Sequence, residues 1–94
     1  MHVISQKRIR EAQSKWPSSA TALQHWMKIM QKTDPQNYSE LKNLFNSVDK
    51  VGDVCVFNVG GNKIRLIAFV RYRAKRVYIR AILDHKEYDK NEWK

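Results

Sequence analysis

The chain carries a single cysteine, Cys55, among its 94 residues. One thiol excludes an internal disulfide framework and a cysteine-based structural zinc site within one chain. The three glycines (Gly52, Gly60 and Gly61) are too few for a phosphate-cradling loop of the nucleotide-binding kinds. No apolar run approaches the length that spans a bilayer. The opening Met1-His2-Val3-Ile4-Ser5 lacks the basic stretch and long apolar core of a signal peptide. The expectation is therefore a cytoplasmic protein in a reducing setting, with no membrane partner. Acidic residues are also scarce, nine against eighteen Lys and Arg, for a net charge of +9. The hydrophobic share is 43%, ordinary for a globular domain, so this charge sits on a folded body rather than a disordered tail. The length suits one domain, residues 1–94, with a compact core and no large enclosed cavity.

The charge is unevenly placed. Between Lys63 and Leu83 lie seven basic residues (Lys63, Arg65, Arg71, Arg73, Lys75, Arg76, Arg80) and no acid. An acid-free basic block interleaved with apolar residues points to a polyanion, of which nucleic acid is the commonest and an anionic membrane surface the weaker alternative. A solvated strand face is the plain competing explanation.

The hydrophobic period places helices first and strands later. Val3 and Ile4 suit an opening strand. Ser5 is expected to cap a helix with Ile9, Ala12 and Trp16 on one face, stopped by Pro17. Ser18 or Ser19 is expected to cap a second helix with Ala20, Leu23, Met27 and Met30 on one stripe and Trp26 at its edge. That stripe reads as core, not as a cofactor box. Thr33-Asp34-Pro35 breaks this helix, and Tyr38, Leu41, Leu44 and Phe45 suggest a short third one. From Val54 the period becomes two. Val54–Val59, Lys63–Tyr72 and Arg76–Leu83 read as strands, joined by Gly60-Gly61-Asn62 and by a two-residue turn at Ala74-Lys75. That register pairs Val70 with Ile79, Ala68 with Ala81, Leu66 with Leu83, Phe57 with Ile64 and Cys55 with Leu66. One face is then Cys55, Phe57, Val59, Ile64, Leu66, Ala68, Val70, Val77, Ile79, Ala81 and Leu83, and the helices are its cover. The fold class is α+β, an N-terminal strand and helices packed on one face of an antiparallel sheet.

The opposite face follows from strand alternation. It is expected to hold Asn58, Lys63, Arg65, Arg71, Arg73, Arg76, Tyr78 and Arg80, with Ile67, Phe69 and Ile82 between them. Cations suit phosphates, and Tyr78 and Phe69 suit unpaired bases, so this is a candidate RNA-binding face. In this register Arg80 lies opposite Phe69 and diagonally near Arg71, and Asn58 lies beside Lys63 or Arg65. Such a cluster would stabilise extra negative charge on a phosphate in a transition state.

The segment Asp84-His85-Lys86-Glu87-Tyr88-Asp89-Lys90 follows the last strand. It gathers one His, one Tyr and two Lys, side chains that move protons in metal-free phosphodiester chemistry. His2 and His25 receive no role. Asp84, Glu87, Asp89 and Glu92 are interrupted by lysines and do not resemble converging metal ligands, so no metal or cofactor is expected. Cys55 falls on the buried face and reads as a small core residue.

Val56-Phe57-Asn58-Val59-Gly60-Gly61-Asn62-Lys63-Ile64-Arg65-Leu66-Ile67 resembles the central hairpin of HigB-type toxins, and His85-Lys86-Glu87-Tyr88-Asp89-Lys90 resembles the closing motif of the same family. The opening Val3-Ile4-Ser5 with its basic helix and the segment Leu41-Lys42-Asn43-Leu44-Phe45 are similar too. The resemblance spans nearly the whole chain. It implies a RelE/ParE-superfamily toxin that cleaves mRNA on the translating ribosome without metal or cofactor. The RNA 2′-hydroxyl would attack the adjacent phosphate. It also implies neutralisation by a HigA-type helix-turn-helix antitoxin, through which alone operator DNA would be met. On this resemblance Arg65 matches a phosphate-binding strand arginine, His85 and Lys86 match a basic catalytic region, and Tyr88 is the candidate aromatic acid or base. RelE-like nucleases carry two lysines where this chain has Val56 and Asn58; Lys63, or Arg71 and Arg80, would then supply that charge. A non-catalytic RNA-binding module and a ParE-like inhibitor of gyrase on the same fold are the alternative functions.

Overall fold

The computed structural model describes residues 1–61 and 63–93, so Asn62 of the glycine hairpin lies outside the described residues. In chain order the elements are β1 (His2–Ile4), α1 (Gln6–Lys15), a single 3₁₀ turn (Pro17–Ser19), α2 (Ala20–Lys32), α3 (Tyr38–Leu44), β2 (Asp49–Val51), β3 (Val54–Val59), β4 (Ile64–Arg71), β5 (Arg76–Asp84) and α4 (His85–Asp89). The five strands form one sheet in the order β1-β5-β4-β3-β2. The class is α+β as the periodicity suggests, but the sheet is mixed. β1 runs parallel to β5, with Val3 beside Val77: the helices carry the chain from β1 to β2 at the opposite edge, and the antiparallel run β2 to β5 brings it back.

The capping expectations fail at two helices. Ser5 makes no side-chain cap and sits in the left-handed region (φ 73°), where its carbonyl accepts from the Arg8 amide at 2.9 Å. The chain must reverse within one residue of β1, and that geometry replaces the extended backbone of an N-cap. Neither Ser18 nor Ser19 caps α2, since Pro17 opens a 3₁₀ turn that runs straight into it and Ser19 is buried. At α3 the Asn37 side chain accepts from the Glu40 amide at 3.0 Å.

The core is built as the stripes require. Ile9 and Ala12 of α1 and Leu23, Trp26 and Met30 of α2 are buried against Phe57, Leu66, Ala68, Val77 and Ile79. Trp26 is central, not at an edge: it meets Phe57 edge-on at 5.4 Å, and Phe57 meets Phe45 likewise at 5.1 Å. Gly60 (φ 66°) turns β3 toward β4 where a Cβ would stand 3.2 Å from Ser19 Oγ, so glycine answers both the backbone and the space. β2 was not expected; its three residues give no alternation to read.

The β4–β5 register departs from the expected one. The hairpin closes on Arg71 opposite Arg76, leaving a four-residue connection, with Val70 opposite Val77 and Ala68 opposite Ile79. Tyr72 lies in this longer loop, half-buried against the core. Relative to a two-residue turn this is a slip of two, which keeps every side chain on its face. The first hairpin slips likewise, pairing Phe57 with Leu66 and Cys55 with Ala68. Past Ala68, however, Ile67 pairs with Ala81, so Arg80 is an extra, bulged residue of β5. One inserted residue inverts all that follows. Ile82 joins the helix-side core, while Ala81 and Leu83 pack on the other face, opposite to expectation.

That other face is not wholly cationic. Val54, Val56, Ile67 and Trp93 form a second buried cluster there, with Val51, Phe69, Ala81, Leu83 and Tyr88 packed around it. The C-terminal segment folds back over the sheet, so the helices are not its only cover.

Candidate nucleic-acid interface and active site

Arg65, the second residue of β4, is flanked by Asn58 on β3 and Leu83 on β5. It is half-buried. Its Nη1 is sealed from water and has no hydrogen-bond partner among the described residues. The guanidinium carbon lies 5.4 Å from the centre of the Tyr88 ring. A desolvated cation without a carboxylate is costly, and an aromatic face offsets only part of that cost.

β5 delivers the chain to the same place. Asp84 ends the strand and caps α4: its Oδ1 accepts from the Glu87 amide at 2.8 Å, and Glu87 Oε1 accepts from the Asp84 amide at 3.3 Å. This capping box commits both acids to the helix start and turns the chain sharply, so the first helical residues stand beside Arg65. Lys63, Arg65, Asp84, His85 and Lys86 together line an open groove of about 760 Å³. His85 is exposed, with Nε2 3.3 Å from Asp89 Oδ2 one helical turn away. Among the described residues no arginine of the sheet is held in an ion pair, and no three His, Cys, Asp or Glu side chains gather as metal ligands.

The expected site residues therefore divide. Lys63, Arg65, His85 and Lys86 meet at one groove. Tyr88 does not line it; its ring supports Arg65 from beside it and stacks on Trp93 at 5.0 Å. Arg71 and Arg76 lie at the far end of the sheet, and Tyr78 and Arg80 lie between that end and Arg65. Arg71 is six residues along β4 from Arg65, about 20 Å at strand rise. There Tyr78, not Arg80, is opposite Phe69, yet Arg71 and Arg80 both reach the Phe69 ring, at 5.5 and 5.7 Å. Arg73 sits in the connecting loop. Asn58 pairs with Arg65 in register and borders a separate apolar groove with Ala22, His25, Trp26, Ile29 and Phe45.

Cys55 is buried, and burial pushes its thiol up. It is a core residue and no thiolate nucleophile. Two residues escaped the sequence reading. Asp89 faces His85 and is visible only as the i+4 partner. Trp93 is an isolated aromatic in a polar tail, a signal with no period to place it.

Among families of known proteins, residues 19–91 match the HigB toxin family, the RelE-like toxic component of a toxin–antitoxin system. The chain is 37% identical over 92 residues to the mRNA interferase toxin HigB of Escherichia coli K12, covering 95% of this chain and 88% of that protein. The mRNA interferase HigB of Shigella flexneri matches to the same extent. That of Escherichia coli O6:H1 is 33% identical over 93 residues, 96% of this chain and 90% of the relative. With a family match over most of the chain and relatives aligned nearly end to end, this protein belongs to the HigB family of RelE-like toxins of toxin–antitoxin systems.

Proposed function

We propose that this chain is an mRNA interferase, a ribosome-dependent endoribonuclease that halts translation. The observation that carries the reading is Arg65: a partly desolvated guanidinium, in no ion pair among the described residues, in the groove that also holds His85 and Lys86. A phosphate is the natural partner for such a group. Arg65 and Lys63 bind the scissile phosphate and stabilise its added charge in the transition state. The 2′-hydroxyl attacks phosphorus and the bond to the 5′-oxygen breaks. His85 and Lys86 are the proton-transfer pair, one accepting the 2′-hydroxyl proton and the other delivering a proton to the leaving oxygen. The products are a 2′,3′-cyclic phosphate and a 5′-hydroxyl, and no metal is needed for the chemistry. Tyr88 serves through its ring, as the support of Arg65.

Arg71, Arg73, Arg76, Arg80 and Tyr78 form a second contact zone for RNA, while Asn58, level with Arg65 on β3, adds to the groove end of the sheet. A site split over about 20 Å suits a strand held on the ribosome better than a free oligonucleotide. In the cytoplasm a HigA-type helix-turn-helix antitoxin would neutralise the toxin and link it to operator DNA.

Mapping mRNA 5′ ends after a brief pulse of expression tests this reading. New ends bearing 5′-hydroxyls on translated messages are expected. Products with 5′-phosphates would overturn the mechanism. Growth arrest without new mRNA ends would overturn the nuclease, in favour of an RNA-binding module or a gyrase inhibitor.

A further inference from the structure

We propose that Trp93 is a positioning residue for Arg65, acting through the ring of Tyr88; the inference rests on the nuclease reading of the groove. The Trp93 indole stacks on Tyr88 with ring centres 5.0 Å apart and planes 13° apart. Its Nε1–H donates to the Tyr88 carbonyl at 3.0 Å. These two contacts hold the ring and the backbone of the same residue. Tyr88 in turn lies 5.4 Å from the Arg65 guanidinium carbon. Trp93 is itself anchored, 9% exposed and packed with Val54, Val56 and Ile67. A continuous line of contact therefore runs from the second apolar cluster of the sheet to the phosphate-binding guanidinium.

The chemistry explains why an aromatic does this work. Arginine is long, with many rotamers, and an unguided guanidinium would lose that freedom on meeting substrate. A carboxylate would hold it firmly but would occupy its N–H donors and cancel its charge. A ring face restrains the plane of the guanidinium and leaves the donors free. Among the described residues Arg65 is in no ion pair, which matches that arrangement. Tyr88 packs at the margin of the second cluster, and Trp93 adds a hold on its ring and backbone. Tyr88 lies on a helix of five residues, too short to be stable by itself, whose tie to α1 is an exposed Lys15–Glu87 contact of 3.9 Å. Trp93 is a further link from Tyr88 to the rigid sheet, and rigid support is what turns a nearby cation into a preorganised one.

The test compares Trp93→Ala with Trp93→Phe, which keeps a stacking ring. Two readouts are taken on the full chain. The first is the ¹⁵N-arginine NMR signal of the Arg65 Nε–H, assigned by its absence in Arg65→Lys. Ring current should displace it in the wild type, return it to the solvated position in Trp93→Ala, and displace it again in Trp93→Phe. The second is single-turnover cleavage on saturated, mRNA-programmed ribosomes. Trp93→Ala should lose about 10- to 100-fold in rate, the scale of a misplaced catalytic group. Trp93→Phe should stay within about threefold of wild type, and ribosome binding should be unchanged to the same degree in both because the cations that supply it are intact. An Arg65 signal indifferent to Trp93→Ala overturns the proposal, as does wild-type cleavage by Trp93→Ala or an equal loss in both variants. Should the wild-type protein fail to cleave at all, the nuclease reading falls and the Arg65 signal alone decides the positioning role.

Discussion

Arg71 and Arg76 face each other directly across the closing pair of the β4–β5 hairpin, both exposed and without a carboxylate in ion-pair range among the described residues. Like charges directly opposite one another destabilise a sheet. On the proposed reading, an RNA strand covering the pair offsets that cost. Arg76→Thr should therefore make the free protein more stable, by about 0.2–1 kcal/mol in urea unfolding. The same change should weaken ribosome binding and lower its salt dependence by about one released ion. Reduced stability together with unaltered binding would leave the arginine pair without this rationale.

Arg65 is tested by removal. Its only described partner is the Tyr88 ring, so Arg65→Ala should change stability by no more than about 1 kcal/mol, the scale of a cation–π contact. Cleavage should fall on the order of 10²–10³-fold, as when a transition-state donor is lost. Circular dichroism melting and single-turnover assays measure the two separately, and full activity in the alanine variant would remove Arg65 from the site.

The groups on α4 should behave unequally. On the proposed mechanism His85→Gln removes a proton-transfer group while keeping a hydrogen-bonding side chain, and a loss of about 10²–10⁴ is expected. Asp89→Asn only loosens an exposed contact, so a change of no more than about fivefold is expected. Tyr88→Phe keeps the ring that supports Arg65 and should cleave within about threefold of wild type, whereas Tyr88→Leu should resemble a misplaced Arg65. A large loss in Tyr88→Phe would show instead that its hydroxyl transfers a proton.

Alkaline pH should expose the burial of Tyr72. Burial, and next the neighbouring thiol, push the Tyr72 hydroxyl up to about 12. The unfolded tyrosine ionises near pH 10, so between about pH 10 and 12 the unfolded state has lost a proton that the native state still holds. Stability from this group is complete below about pH 10 and is lost as pH rises toward 12. Urea midpoints measured from pH 9 to 12 should fall more steeply for the wild type than for Tyr72→Phe. Parallel curves would show that Tyr72 ionises freely.

Much of the molecule is legible in the chain itself. Alternation assigns Cys55, Phe57, Val59, Ile64, Leu66, Ala68, Val70, Val77 and Ile79 to one face, and a register slip of two leaves that assignment intact because strand side chains repeat every two residues. Helical stripes place Ile9, Ala12, Leu23 and Met30 in the core. The acid-free stretch and the His85–Lys86 motif converge in space, since a strand ending at Asp84 must put the next residues beside Arg65 on the neighbouring strand. What the chain does not announce depends on contacts between distant residues. The Arg80 bulge inverts Ala81, Ile82 and Leu83, and a bulge leaves no mark in a strand that is apolar at every one of those positions. The parallel docking of β1 depends on how α1 and α2 pack. The division of the cationic face into two zones, and the burial of Trp93 between them, arise because the apolar surface of Val54, Val56 and Ile67 has to be covered, and only the folded chain brings an aromatic from its last turn to do so.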